Sequence, residues 1–387
     1  MSSSCCPMLF FYLPKIYQVK VLLLITGLGM GGAEKVVTSL ADALAAKGHD
    51  VRIAYMTGAA VVLPMNTSIK VVSLGMVAKT DAVSAFFKLR RLIHDFQPDV
   101  VHSHMLHANI LARLVRLATP MARLISTAHS SDEGGKLRML AYRLTDALAD
   151  MSTNVSAEAV AAFIKAKATW QGRMMVVHNG IATDAFAFNA AARVQLRQAL
   201  SVDDDCRLIL AVGRLHDAKD YPNLFHALAQ LPANSLKYQL FIAGDGLLRG
   251  HLEALAVQLG VADRIRFLGV RHDVAGLMSA SDVFVLSSAW EGFGLVVAEA
   301  MACERVVVAT DCGGVREVVG EAGYLVKSKD AKALAQALQT TLQLPATQSA
   351  TLGRAARQRI VALYALDTVV AKWLKLYAGA ISDSRCS

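Results

Sequence analysis

Alternating strand and helix signals predict an α/β protein made of two doubly wound, Rossmann-like domains in series, facing a central cleft. Three observations carry that expectation. A chain of 387 residues is too long for one ordinary core and suits two. Short apolar runs recur along it, followed by Gly- or Asp-bearing loops and amphipathic stretches. One series of these units closes at residue 180, and a second opens after Asp184. Ligands on such sheets bind beyond the carboxyl ends of the strands, so the loops that follow strands are where function is expected.

In the first domain, residues 20–180, an apolar run at 20–26 suits a buried strand, and 33–47 reads as a helix that Gly48 ends. Further strands are expected at 51–56, 99–102, 123–127 and 151–155, helices at 83–96, 108–117 and 137–148, and residues 176–180 end the domain. In the second domain, residues 181–365, a helix near 191–200 precedes strands at 208–212, 239–243, 265–268, 283–287 and 306–309. Residues 366–381 read as a closing helix, with Trp373 and Tyr377 in a core rather than on a ligand. Residues 1–19 read as a disordered leader or a start placed too early: a short apolar patch between Pro7 and Pro14, with no basic segment before it, makes a poor signal peptide.

Hydrophobic residues make up 54% of the chain, yet no apolar run reaches the roughly 18 residues of a spanning helix, so the protein is expected to be soluble or to lie on a membrane. Charge is unevenly placed. Residues 1–180 hold 19 Lys+Arg against 11 Asp+Glu, a net of +8, and residues 181–387 hold 21 against 20. An anionic partner is therefore expected at the first domain, either phospholipid or a pyrophosphate-linked acceptor. No nucleic-acid motif accompanies the charge, and nucleic acid is not an expected partner. The six cysteines (Cys5, Cys6, Cys206, Cys303, Cys312 and Cys386) form no C-x-x-C pair and no zinc-like spacing with His, which suits a reducing cytoplasm.

The most informative stretch runs from Glu291 to Glu299, where two carboxylates eight residues apart bracket the turn Gly292-Phe293-Gly294 at the start of a helix. Glycines let a ligand approach the backbone, the free N–H groups of Gly292 to Leu295 favour an anion, and the carboxylates accept hydrogen bonds from hydroxyls. That chemistry suits a sugar joined to a phosphate. The spacing, followed by Gly313-Gly314-Val315-Arg316-Glu317, resembles the E-x7-E signature of the retaining glycosyltransferases of family 4, which have the GT-B fold. The resemblance spans about residues 20–380.

Other loops fall into place beside it. The run Gly27-Leu28-Gly29-Met30-Gly31-Gly32-Ala33-Glu34 lacks dinucleotide-binding spacing, and no acidic residue ends the second strand near Tyr55. It resembles the family's first loop, which implies that the backbone of Gly31 and Gly32 faces the donor phosphates. Residues 213–219 resemble the family's G-R-L-x-x-x-K-G loop, with Asp220 where Gly is usual. The paired cations Arg214 and Lys219 can neutralise a diphosphate leaving group without a metal. Thr127-Ala128-His129-Ser130 matches the position of an active-site His whose side chain and carbonyl approach the donor sugar, which implies His129. His104, at the preceding strand end, is expected to touch sugar or acceptor. Gly244 and Gly246 resemble the family's G-x-G loop, and Val270 and Arg271 follow a strand end whose backbone holds the nucleobase. Residues 177–186 resemble the interdomain marker N-G-(I/V)-D-x-x-x-F with its Asp displaced, and the closing helix is expected to return to the first domain. Asp203-Asp204-Asp205 contains a D-x-D, but it precedes a strand and reads as a solvated acidic turn.

Two acid-free stretches bear on a membrane. Residues 83–93 put Lys88, Arg90 and Arg91 beside a Phe-Phe-Leu-Leu-Ile surface, similar to an interfacial helix, and 105–127 carries Arg113, Arg116 and Arg123. The resemblance as a whole implies a retaining, metal-independent glycosyltransferase with no cofactor. It would move a sugar from a nucleotide sugar, a UDP-sugar, to a lipid-linked or saccharide acceptor in cell-surface polysaccharide or lipopolysaccharide assembly. Glu291 would contact the sugar hydroxyls, Glu299 the ribose, and the protein would sit in the cytoplasm against the anionic inner membrane surface. A GDP-mannose donor, a UDP-sugar epimerase of the same fold and a non-catalytic sugar-nucleotide sensor are the alternatives.

Overall fold

A computed structural model describes residues 18–232 and 237–379. The first sheet holds β1 (Lys20–Gly27), β2 (Asp50–Thr57), β3 (Lys70–Met76), β4 (Val100–His104), β5 (Leu124–Ala128), β6 (Met151–Asn154) and β7 (Met174–Val176). These pair in parallel in the order β3-β2-β1-β4-β5-β6-β7. The second sheet holds β8 (Arg207–Val212), β9 (Tyr238–Ala243), β10 (Ile265–Gly269), β11 (Val283–Leu286), β12 (Val306–Asp311) and β13 (Tyr324–Lys327), parallel in the order β10-β9-β8-β11-β12-β13. On the first sheet lie α1 (Gly32–Ala46), α2 (Ala82–Phe96), α3 (Leu106–Arg116), α4 (Lys136–Thr145) and α5 (Ala157–Lys165). The second half adds α6 (Ala190–Ala199), α7 (Tyr221–Ala229), α8 (Arg249–Gln258), α9 (Val274–Ala280), α10 (Leu295–Ala302), α11 (Val315–Val319), α12 (Ala331–Leu342), α13 (Ala346–Tyr364) and α14 (Leu366–Tyr377).

The sequence builds this architecture for plain reasons. Val21 to Ile25 of β1 are fully buried, as a central parallel strand covered on both faces requires. The closing helix α14 packs Val370, Trp373, Leu376 and Tyr377 into the core formed by β1 and α1, and Tyr377 Oη lies 2.8 Å from His102 Nδ1 on β4. Four elements carry too little signal to be expected from sequence: β3 at a half-exposed edge, the three residues of β7, the four of β13 with none buried, and α5, which Ser156 caps by accepting from Ala159 N. Of the residues 176–180 expected to end the first domain, only Val176 belongs to a strand, β7. The expected leader lies outside the described residues up to position 17, as do the last positions of the closing helix.

The basic, apolar stretches are corrected by burial. Ala85, Leu89, Ile93 and Phe96 of α2 are buried, with Phe86 and Leu92 packed on the same core, so most of the face expected to lie on a membrane turns into the protein, while Val83 and Phe87 stay outward. Lys88 donates to the Leu74 carbonyl at 3.0 Å and Arg91 pairs with Asp95 at 3.5 Å. Arg113 is not a surface cation at all: it is fully buried, donates from Nη2 to Asp146 Oδ1 at 3.2 Å and to Ser152 Oγ at 2.9 Å, and from Nε to Ser126 Oγ at 3.2 Å. Arg173 Nε reaches Asp146 Oδ2 at 3.1 Å. This buried network clamps β5 and β6 beneath the loop that carries His129.

Replacing Asp146 by Ala strands Arg113 as an unpaired buried charge, and stability to urea is expected to fall by about 3–5 kcal/mol. An unchanged unfolding midpoint would show that the pair does not hold the sheet.

Candidate functional site

Both sheets reverse strand order at one point, between β1 and β4 in the first and between β8 and β11 in the second. Loops diverge there and leave a crevice at the carboxyl ends of the strands. The loops after β1, β4, β8 and β11 are among those that the motifs single out.

On the wall built by the second sheet, Glu291 Oε1 receives the Lys219 Nζ at 2.5 Å and the Ser288 hydroxyl at 2.7 Å. Gly294, at φ +85°, turns the chain into α10 through a conformation that favours glycine. Gly213 has the Lys219 side chain against it, where a Cβ would lie 2.8 Å from Cε. Asp220 also adopts a left-handed backbone, φ 42° and ψ 50°, and its carboxylate caps α7 by accepting from Asn223 N. The Gly-to-Asp exchange in the motif is thus accommodated: Asp tolerates this conformation better than most residues and adds a cap. Gly244 and Gly246 serve the close approach of two loops, since a Cβ on either would meet the Gly213 or Leu215 carbonyl at 2.0 or 2.5 Å. Val270 is half exposed at the end of β10, and Arg271 turns back onto Asp273, with Nε 2.8 Å from Oδ1.

The first sheet supplies the facing wall. Gly31 and Gly32 open α1, and a Cβ on Gly32 would lie 3.8 Å from Leu295 Cδ2, so the amino ends of α1 and α10 meet across the cleft. Two helix N-termini aimed at one space favour an anion there. Burial raises the pKa of Glu34, and the charge of Arg214 on the opposite wall opposes that rise. Lys35 Nζ bridges the walls to Glu299 Oε1 at 2.7 Å and sits 4.6 Å over the Phe186 ring. Glu299 is 3% exposed, and burial raises its pKa against the pull of Lys35.

His129 joins the two walls through its backbone. A Cβ at Gly292 would lie 2.1 Å from the His129 carbonyl oxygen, so the Gly-Phe-Gly turn can press on β5's loop only as glycine. Its Nε2 lies 3.1 Å from Nδ1 of His104. Burial pushes His129 down to about 4 and His104 well below the usual imidazole range, so both rings are neutral at pH 7. His104 is 1% exposed and stacked between His102 and His129 at centroid distances of 4.0 and 5.3 Å. His104 lines the same small cavity as His129, and its Nε2 has no hydrogen-bond partner among the described residues. Phe293 is likewise buried, against His178 and Tyr364, which leaves its backbone as the part that can meet a ligand.

Three partners escaped the sequence reading. Lys35 follows the G-G-A-E motif directly, a position that could have drawn notice as a cation opening a phosphate-facing helix. Ser156 Oγ donates to the Gly292 carbonyl at 2.9 Å, and Glu317 accepts from Ala157 N and Glu158 N at 3.0 and 3.1 Å while bonding His178 Nε2 at 3.0 Å. Ser156 is marked only by its helix-capping pattern, and Glu317 only by its place in the second glycine motif. Among the described residues, no group of three His, Cys, Asp or Glu side chains is placed to hold a metal ion.

Comparison with known proteins fits this geometry. Residues 30–185 match the profile for Glycosyltransferase Family 4, and residues 193–359 match that for Glycosyl transferases group 1. The chain belongs to glycosyltransferase family 4. This family 4 enzyme is 28% identical over 278 residues to the putative glycosyltransferase EpsD of Bacillus subtilis, covering 68% of the chain and 72% of the relative. It is 30% identical over 215 residues to the lipopolysaccharide core biosynthesis glycosyltransferase LpsE of Rhizobium meliloti, covering 54% of the chain and 59% of the relative. Its fold is the GT-B fold. Anabaena HepE, solved with UDP and glucose, superposes with a TM-score of 0.81 at 22% identity, over 94% of this chain and 100% of HepE.

A methyl group at position 292 cannot share the space of the His129 carbonyl, so Gly292→Ala is expected to part the two walls. A displacement of about 1 Å in a positioned site lowers turnover on the order of a hundredfold. Steady-state kinetics beside circular dichroism tests this; full activity with intact secondary structure would show that the contact is dispensable.

Proposed function

We propose that this glycosyltransferase moves a sugar from a UDP-sugar to a lipid-linked or saccharide acceptor with retention of anomeric configuration. The observation that carries the reading is Glu291, held at 2.5 Å by Lys219 in the loop that leads into α10, whose amino end meets that of α1 across the cleft. A donor diphosphate fits between the two helix N-termini, where Lys219 and Arg214 supply the charge that a divalent ion supplies elsewhere. As the phosphate takes over Lys219, Glu291 is released to accept hydrogen bonds from the sugar hydroxyls. Glu299 Oε2 has no protein partner among the described residues and is available to the ribose.

In the reaction the bond from the anomeric carbon to the phosphate oxygen breaks, and a bond to the acceptor oxygen forms on the same face. The departing phosphate oxygen takes the acceptor proton. Arg214, Lys219 and the N–H groups of Gly292 to Leu295 stabilise the charge that builds on the diphosphate, and the His129 carbonyl faces the developing positive charge on the sugar. The choice of uridine is supported by the UDP and glucose held by HepE, and the choice of a cell-surface acceptor by the lipopolysaccharide role in the name of LpsE. No helix among the described residues is long and apolar enough to cross a membrane. A lipid-linked acceptor is then reached by attachment to the anionic inner surface of the cytoplasmic membrane.

Glu291→Ala is expected to nearly abolish transfer, and because this carboxylate is 15% exposed and paired with Lys219, some loss of melting temperature is expected beside it. Sugar transfer measured with a panel of labelled nucleotide sugars, with thermal unfolding alongside, tests it; undiminished turnover sinks the assignment. Exhaustive EDTA treatment is expected to leave transfer largely intact. Loss of activity that manganese or magnesium restores would mean that a metal, not Arg214 and Lys219, handles the diphosphate.

A further inference from the structure

Helix α2 keeps only the large apolar Val83 and Phe87 outward beside its cations, at 66% and 57% exposure, and helix α4 keeps more. Leu137, Leu140 and Leu144 are 84%, 49% and 72% exposed, while Met139 and Tyr142 of the same helix are buried. At about 100° per residue the three leucines fall on one stripe opposite the buried pair. Lys136 and Arg143 flank that stripe on one side and Arg138 on the other. From Gly134 to Thr145 the chain has three cations and no acid.

A second acid-free segment adjoins it. Residues 165–173 carry Lys165, Lys167 and Arg173 around Trp170, which is 45% exposed. The Arg143 guanidinium lies 3.5 Å from the centre of the Trp170 ring, so the indole is fixed to α4. Leu114 on neighbouring α3 and Leu117 just beyond its end are also exposed. Most nearby acids are already engaged: Asp146 by Arg113 and Arg173, Asp150 by Arg116.

We infer that the face made by Leu137, Leu140, Leu144 and Trp170 lies on an anionic bilayer, its leucines and indole in the headgroup boundary and Lys136, Arg138, Lys165 and Lys167 on lipid phosphates. Exposed aliphatic residues between flanking cations, beside an interfacial Trp, are the composition of a membrane-surface element. The position suits the chemistry, since Ser130 in the cleft, against Gly292, is separated from the first residue of α4 by the five residues 131–135. An acceptor whose lipid stays in the bilayer thus presents its head close to His129. This inference rests on the reading of a lipid-linked acceptor and names the surface that reaches it.

Sedimentation of the full chain with phosphatidylglycerol–phosphatidylcholine vesicles tests it. Wild type is expected to sediment with these and not with pure phosphatidylcholine vesicles, less so as salt rises, and Trp170 emission is expected to shift to the blue, a change absent from Trp170→Phe. L137Q/L140Q/L144Q and K136E/R138E are each expected to weaken binding by roughly tenfold or more, whereas K88E/R90E/R91E on α2 stays within about twofold of wild type. Loss of binding in the α2 variant alone overturns the inference and leaves the membrane-bound acceptor standing. No vesicle binding, combined with self-association that the leucine variant abolishes, overturns it in favour of a second copy of the chain. UDP release from UDP-sugar without acceptor is measured in parallel: its persistence beside absent vesicle binding separates failure of this surface from failure of sugar transfer itself.

Discussion

The contact on which the rest depends is backbone against backbone. The Gly292 turn of the second domain presses on the His129 carbonyl of the first, and Gly313, at φ +56°, presses on the Glu291 carbonyl from behind, where a Cβ would lie 1.9 Å from the oxygen. Close-packed main chain has one arrangement and no soft side chain to yield. It fixes the depth of the cleft, and with it the separation of α1 from α10. Ser156 then ties the start of α5 to the same turn, and Glu317 ties it to α11, so the seam is held from two sides.

Within that frame each of the two glutamates is paired with a lysine, and the pairs differ in kind. Lys219 and Glu291 belong to one domain and set the local charge of one wall. Lys35 and Glu299 belong to opposite walls, so their bond depends on the domains standing as they do. Burial of Glu299 makes that bond consequential, because an unpaired carboxylate there is disfavoured as an anion. On the proposed reading, a donor replaces salt links with its own phosphates and hydroxyls, and so exchanges polar partners rather than stripping them from water.

The fold was legible because its central strands are apolar runs and the loops after them hold glycines that only close approach explains. Elements at the edges were not legible: β3, β7 and β13 are short or half exposed, and their place is set by the neighbours that they pair with. At the site, the loops could be read and their contacts could not. Glu291 and Lys219 stand in separate motifs 72 residues apart, and nothing local says that one holds the other. His102 illustrates the limit. A His at a strand end reads as a ligand contact, and only the packing of α14, which puts Trp373 and Tyr377 beside His102, shows that this ring is covered.

Counting charge misleads in the same way as counting histidines. The net of +8 in the first half is real, but its members do unlike work. Arg113 and Arg173 neutralise Asp146 inside the domain, and Arg116 is spent on Asp150. A buried Arg has little reach into solvent, because its field is cancelled by the carboxylate that it was buried to meet. What remains for a partner is the excess on faces where no acid answers it. On α2 most apolar side chains are packed on the core and, of the large ones, only Val83 and Phe87 stay outward, whereas on α4 three leucines are left outward with Trp170 beside them. Attraction to an anionic surface follows from the sum of charges, but residence on it requires cations and exposed apolar groups on one face, and burial decides which helix still has both.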